Sequence, residues 1–154
     1  ESIHNGLVAI AADCKPEETT VMVHDGNRPM VDDDLIADSL AVYKAHGSAV
    51  ATIPCTEVVF KDAAGVSSLE QIPREELWRT QTPHTYSLAK LLWAHEESEK
   101  RGLKKTAASC QLMAMLGERT WFSKGSEKNL KLTTMDDMDI FKALLKNEKS
   151  GWEK

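Results

Sequence analysis

VMVHDGNRPMVDDDLIADSLAVYKAHGSAVATIP, residues Val21 to Pro54, changes its apolar period twice. Val21–Val23 is a short apolar run, largely β-branched, of the sort that makes a buried strand. Leu35, Ile36, Leu40 and Tyr43 then recur at spacings of three and four, predicting an amphipathic helix over Asp33–His46 that Gly47 closes as a C-terminal cap. SAVATIP, Ser48–Pro54, returns to a strand. Strand, crossover helix and strand of this length predict a parallel sheet covered by helices, an α/β architecture.

A chain of 154 residues suits one domain with one core. Its hydrophobic share of 42% and charged share of 28% fall in the globular range. The net charge of -5 argues against a hold on nucleic acid or on an anionic membrane, since both need a cationic surface. The longest apolar stretches, such as Leu7–Ala12, are too short to cross a bilayer, and no signal-peptide pattern is present. The expectation is a cytoplasmic protein. Cys14, Cys55 and Cys110 are odd in number, widely spaced and without a CxxC, which supports neither a disulfide framework nor a zinc knuckle. The chain opens at Glu1 without methionine, and Ile3, Leu7 and Ile10 already follow helical spacing, so it reads as a fragment opening inside an element.

Beyond Pro54 the alternation breaks. In EVVFKDAAGVSSLEQI, Glu57–Lys61 and Val66–Ile72 read as the strands of a hairpin around the turn Asp62–Gly65. Pro73–Trp78 reads as a helical turn, and RTQTPHTYS, Arg79–Ser87, as a loop because it is polar and rich in Thr. Ser87 caps a helix with the stripe Leu88, Leu91, Leu92 and Ala94, stopped by Gly102. A second helix is expected over Thr106–Leu116, then short strands at Thr120–Ser123 and Leu130–Thr133 around the loop KGSEKN. Thr134 and Asp137 make a capping-box start for the last helix, whose stripe is Met138, Phe141, Leu144 and Leu145.

Ligands of open α/β sheets sit beyond the carboxyl ends of the strands, which draws attention to HDGNRP after Val23. There Gly26 allows the backbone a sharp turn and close approach, Arg28 offers a charged fork for phosphate, and Pro29 stiffens the exit. The same residues also suit a plain turn in which Asp25 caps and Arg28 pairs with Asp32, Asp33 and Asp34. The triple Asp itself suits the first turn of a helix better than a metal cluster. Lys131 reads as an exposed strand lysine, Arg74 as a surface residue at the hairpin end, and His84 as a loop hydrogen-bonder or a ligand beside the hydroxyls of Thr82, Thr85 and Tyr86.

Taken in order from Ser2 to Leu145, ESIHNGL, VMVHDGNRP, the PCTEVVF-to-REELW hairpin, QTPHTYSL and GSEKNLKLTTMDD resemble successive signatures of the methylerythritol phosphate cytidylyltransferase family, which includes the ribitol phosphate cytidylyltransferases of teichoic acid and capsule synthesis. The resemblance implies a Rossmann-like nucleotidyltransferase sheet covered by helices, with a protruding β-arm at about residues 56–74 that reaches over the other subunit of a homodimer. It implies transfer of CMP from CTP to methylerythritol 4-phosphate or ribitol 5-phosphate, giving a CDP-polyol and pyrophosphate, with Mg2+ as cofactor. By motif, Ser2 matches a nucleotide contact, and Asp25, Gly26 and Arg28 match the turn that meets the polyol phosphate and the cytidine side. Arg74 matches an arm arginine that holds phosphate in the partner subunit's site, Lys131 a lysine that positions the phosphates, and Thr82 a pocket threonine. Arg74 and Lys131 thereby become the catalytic candidates, and Asp25 the one carboxylate to place near magnesium.

Departures from the family pattern fall on the polyol side. An Asp-Thr pair that starts the arm is Glu57–Val58 here, so that a substrate-contacting hydroxyl is lost or supplied by Thr56, and the TDxAS stretch is KTAAS, Lys105–Ser109, with Thr106 at the acidic position. Both point to ribitol phosphate or a related sugar-alcohol phosphate. The family's glycine-rich triphosphate loop and the lysine after it have no counterpart. Residues 1–154 are therefore expected to be the C-terminal portion of a single cytidylyltransferase domain, with little or no activity alone. The alternative is a non-catalytic dimerisation or nucleotide-binding module that retains the fold.

Overall fold

A computed structural model describes residues 2–103 and 106–150. Glu1, the start of ESIHNGL, and Lys105, the start of KTAAS, lie outside them. In chain order the elements are α1 (Ser2–Ala11), β1 (Thr20–Val23), α2 (Asp33–His46), β2 (Ser48–Pro54), β3 (Val59–Phe60), β4 (Gln71–Ile72), a single 3-10 turn (Arg74–Glu76), β5 (Trp78–Ser87), α3 (Leu88–Lys100), α4 (Ser109–Met115), β6 (Phe122–Lys124) and α5 (Met135–Ser150).

Local chemistry explains most of the helices. Asp32 caps α2 by accepting from the Leu35 amide, Asp33 and Asp34 occupy its first turn, and Gly47 ends it in the left-handed region at φ 81°. Ser87 caps α3 by accepting from the amide of Lys90. The Thr134–Asp137 box forms as expected: the Asp137 carboxylate accepts from the Thr134 amide and the Thr134 hydroxyl from the Asp137 amide.

The main sheet has the order β1-β5-β2-β6. Here the expectation of a parallel sheet needs correction, because β5 runs antiparallel to both β1 and β2, and only β2 and β6 pair in parallel. The cause is the segment Arg79–Ser87, expected as a loop and found as all but the first residue of the longest strand. Its polar side chains find partners inside the fold: Gln81, Thr82, His84 and Thr85 are all buried. The other revisions are smaller. The second helix starts at Ser109 rather than Thr106, β6 is Phe122–Lys124, and Leu130–Thr133 is irregular rather than a strand.

Strand pairing sets which residues share a face. Val21, Tyr86 and Ser48 lie in register, as do Val23, His84 and Val50, while Ala49, Thr85 and Met22 fall on the opposite face. On the first face Val50 and Tyr86 pack with Leu7 of α1, Leu88, Leu91 and Ala94 of α3, and Cys110, Leu112 and Met113 of α4. On the second face α2 covers the sheet with Leu35, and its Ser39 hydroxyl bonds that of Thr85 at 2.7 Å, both groups being fully buried. The hairpin β3–β4 projects from this body as a two-stranded ribbon closed at its base by the Cys55 amide donating to the Leu77 carbonyl. Among the described residues no helix is long and apolar enough to cross a membrane.

The Ser39–Thr85 pair offers a direct check on this packing. Thr85→Val removes one hydroxyl and strands the other in the core, which should cost about 1–3 kcal/mol in urea unfolding. Ser39→Ala combined with Thr85→Val should recover a large part of that loss, and a double variant as unstable as the sum of the singles would contradict the pairing.

Candidate functional site

β1 ends at Val23, and the chain turns through His24–Pro29 with the Arg28 amide donating to the Asp25 carbonyl. A second loop, Gly125–Leu132, lies against this turn. Asn27 and Leu132 join the two in both directions: the Asn27 side-chain amide donates to the Leu132 carbonyl at 2.9 Å, and the Leu132 amide to the Asn27 carbonyl at 2.8 Å. Behind them stands β5. The buried Asn129 side chain donates to the Thr82 carbonyl at 2.8 Å, and Gln81 exchanges bonds with Ser126 in both directions. At Gly125 an added Cβ would lie 2.7 Å from the Thr52 carbonyl oxygen, so this loop sits on β2 at a distance only glycine permits.

Those stitches bring three charges together. One oxygen of Asp25, Oδ2, receives Lys131 Nζ at 3.1 Å and Arg28 Nε at 3.2 Å. The Arg28 guanidinium also donates through Nη1 to the Asn129 carbonyl at 2.7 Å and is only 11% exposed. Burial alone would raise the Asp25 carboxyl, but the hydrogen bonds and charges of Lys131 and Arg28 outweigh it and hold the group below the usual carboxylate range. Arg28 thus pairs with Asp25 and not with the acidic run Asp32–Asp34, as the plain-turn reading had it.

This cluster lines one side of a cleft of about 190 Å³ at the carboxyl end of β1. Thr82, Gln81 and Thr80 line it from β5, and Ile3, Ala107, Ala108 and Ser109 from the α1 and α4 ends. Ser109 has a buried hydroxyl with no protein partner among the described residues. His84, on the cleft wall, is lowered by burial to about 4 and is therefore neutral at physiological pH. The arrangement is a neutral, partly apolar recess with two cations at its edge, which suits a phosphate ester carrying hydroxyl groups.

Comparison with known proteins gives the family. The sequence profile of the 2-C-methyl-D-erythritol 4-phosphate cytidylyltransferases (IspD) matches residues 1–147. The chain belongs to this family. It is 34% identical over 150 residues to a ribitol-5-phosphate cytidylyltransferase of Lacticaseibacillus paracasei, covering 96% of this chain and 64% of that protein. It is 28% identical over 151 residues to a 2-C-methyl-D-erythritol 4-phosphate cytidylyltransferase of Alkaliphilus oremlandii, covering 98% of this chain and 62% of the relative. The crystal structure of the Francisella tularensis IspD superposes with a TM-score of 0.82 at 27% identity, over 92% of this chain and 65% of that one. The chain thus spans under two thirds of the length of these relatives.

Within this cytidylyltransferase-family chain, the residues singled out from sequence separate into two groups. Asp25, Arg28, Thr82 and Lys131 come together at the cleft, and Gly26 follows Asp25 in the turn without lining it. Gly26 lacks a positive φ and a Cβ there would meet nothing, so the turn itself does not require glycine, contrary to the sharp-turn argument. Arg74 stands apart on the arm, about half exposed, with Nη1 donating to the carbonyl of Thr56 at 3.2 Å. Ser2 is exposed at the start of α1, one residue before the cleft-lining Ile3, and Thr106 precedes Ala107 without lining the cleft itself. Asn27, Gln81 and Asn129 were not foreseen. Asn129 stands in the SEKNLKL motif, but nothing local distinguishes a buried asparagine from a loop one.

The ion pairs give a signed pH expectation. Asp25 has a folded pKa below its unfolded 3.8, so its contribution is complete above that value and is lost as pH falls through the lower folded one. Urea midpoints of wild type and Asp25→Asn should differ at about pH 6 and converge toward about pH 3. A constant difference across that range would rule out the paired carboxylate.

Proposed function

We propose that this chain serves the transfer of CMP from CTP to a polyol phosphate. The observation that carries the reading is the convergence of Lys131 and Arg28 on one carboxylate oxygen at the mouth of the cleft, in a chain of the cytidylyltransferase family. Asp25 holds the two cations at a spacing suited to oxygen ligands before substrate arrives. A phosphate oxygen can then take the place that the carboxylate oxygen holds on Lys131, while Arg28 stays anchored by Asn129.

In the transfer, a phosphate oxygen of the polyol attacks the α-phosphorus of CTP, the new P–O bond forms, and the bond to pyrophosphate breaks. Negative charge gathers between two phosphates, so fixed cations lower the barrier by electrostatics and by positioning. Lys131 faces this charge directly; Arg28 and Asp25 orient the acceptor. Magnesium would find at this cleft the single carboxylate of Asp25, a weak offer while both cations hold it, so these residues are assigned to substrate.

The arm supports a homodimer. A two-stranded ribbon is marginal by itself, and this one exposes Val58, Phe60, Val66 and Leu69. Seated on a second copy, it would carry Arg74 toward the partner's cleft. Among polyols, ribitol phosphate is favoured over methylerythritol phosphate: Glu57, Val58 and Thr106 depart from the family on the polyol side, and the Lacticaseibacillus relative bears the ribitol name.

Pyrophosphate release by the full-length protein should be supported by ribitol 5-phosphate more efficiently than by methylerythritol 4-phosphate, and absence of release with either would refute the reading. Lys131→Ala and Arg74→Ala should each lower kcat/KM by an amount worth about 2–4 kcal/mol. If both retain wild-type values, neither residue has the role assigned.

A further inference from the structure

His24 follows β1 directly and its ring is held at both nitrogens. Nε2 lies 2.9 Å from the Arg28 carbonyl oxygen, and Nδ1 lies 3.0 Å from the Thr82 hydroxyl. The same hydroxyl oxygen accepts from the Asp25 amide at 2.9 Å. A carbonyl can only accept, so Nε2 must carry the hydrogen. In the neutral imidazole Nδ1 is then a lone pair, which the Thr82 hydroxyl must fill with its single proton. The other neutral tautomer would set two lone pairs against each other at Nε2. Every direction in the relay is thereby determined: His24 donates to Arg28, Thr82 donates to His24, and Asp25 donates to Thr82.

We propose that His24 is a positioning residue of this site and that Thr82 acts through it. In the neutral ring the hydroxyl proton of Thr82 is taken by the imidazole. What the relay does is lock the turn to β5 at two points, the Asp25 amide and the Arg28 carbonyl. The side chains of these two residues form the ion pair. With Asn129 holding the Arg28 guanidinium from the far side, the arginine is fixed at its backbone and at its head group. A phosphate-binding arginine gains from such restraint because a displacement of about 1 Å at a reacting centre costs on the order of a hundredfold in rate.

The functional part of this inference rests on the polyol-phosphate reading; the hydrogen-bond part does not. Long-range ¹H–¹⁵N spectra recorded at about pH 8 report the tautomer directly. We expect His24 protonated at Nε2 and bare at Nδ1, and slow solvent exchange at Arg28 Nε–H that becomes faster in His24→Ala. A hydrogen on Nδ1 alone, or an unchanged exchange rate in the variant, would overturn the assignment. Calorimetry with ribitol 5-phosphate supplies the second arm. His24→Ala and Thr82→Val, each shown by circular dichroism to be folded at the assay temperature, should bind about tenfold more weakly, and the double variant no more weakly than the weaker single variant. Thr82→Ser should restore affinity. Additive losses would mean that Thr82 touches the ligand itself and that the relay is not its role. If the wild type binds no ribitol phosphate, the substrate reading falls, and the tautomer and exchange measurements decide the His24 assignment alone.

Discussion

Strand β5 hydrogen-bonds on both of its sides, to β1 and to β2, and runs against the direction of each. Without it those two strands would not belong to one sheet, and neither α2 on one face nor α1, α3 and α4 on the other would have a surface to cover. Its inward side chains are polar, and this determines more than the packing. A strand of Gln81, Thr82, His84 and Thr85 is stable in a core only if each polar group is answered, since an unpaired buried group costs about 1–3 kcal/mol. Ser39 answers Thr85, Ser126 and Asn129 answer Gln81, and His24 and Asp25 answer Thr82. The need to satisfy one strand draws the turn after β1 and the loop after β6 into the places where the cleft forms.

That arrangement explains how two cations can sit side by side. Lys131 and Arg28 share Asp25, and the carboxylate stays ionised because both cations contact it. Arg28, nearly buried, has its charge compensated by Asp25 and a second donor, Nη1, taken by a backbone carbonyl. Lys131 is the more exposed of the two and the more readily exchanged onto a phosphate.

The arm obeys a different logic. It makes its own short ladder, and Arg74 is tied to Thr56 within it, so its residues are organised without being packed on the body. Exposed apolar side chains on a marginal ribbon make sense where a second surface covers them. The cleft and the arm are therefore separately built, and it is their meeting across two copies that the proposed chemistry would use.

Much of this molecule was legible from the chain alone. Period and capping residues set α2, β2, α3 and the start of α5, because those signals act within a few residues: Asp32 and Gly47 at the ends of α2, Ser87 at α3, Thr134 with Asp137 at α5. The ordered motifs carried the family and most of the cleft residues. What the chain did not disclose is the placement of polar residues inside. RTQTPHTYS has the composition of a loop, and only its neighbours on both sides, far away in sequence, turn it into the central strand. The pairing of Arg28 was open for the same reason, since Asp25 and Asp32–Asp34 are all within reach along the chain and the choice between them depends on Asn129 and Lys131, about a hundred residues on. Local geometry is decided by local sequence; the partners that satisfy a buried polar group are supplied by the tertiary fold.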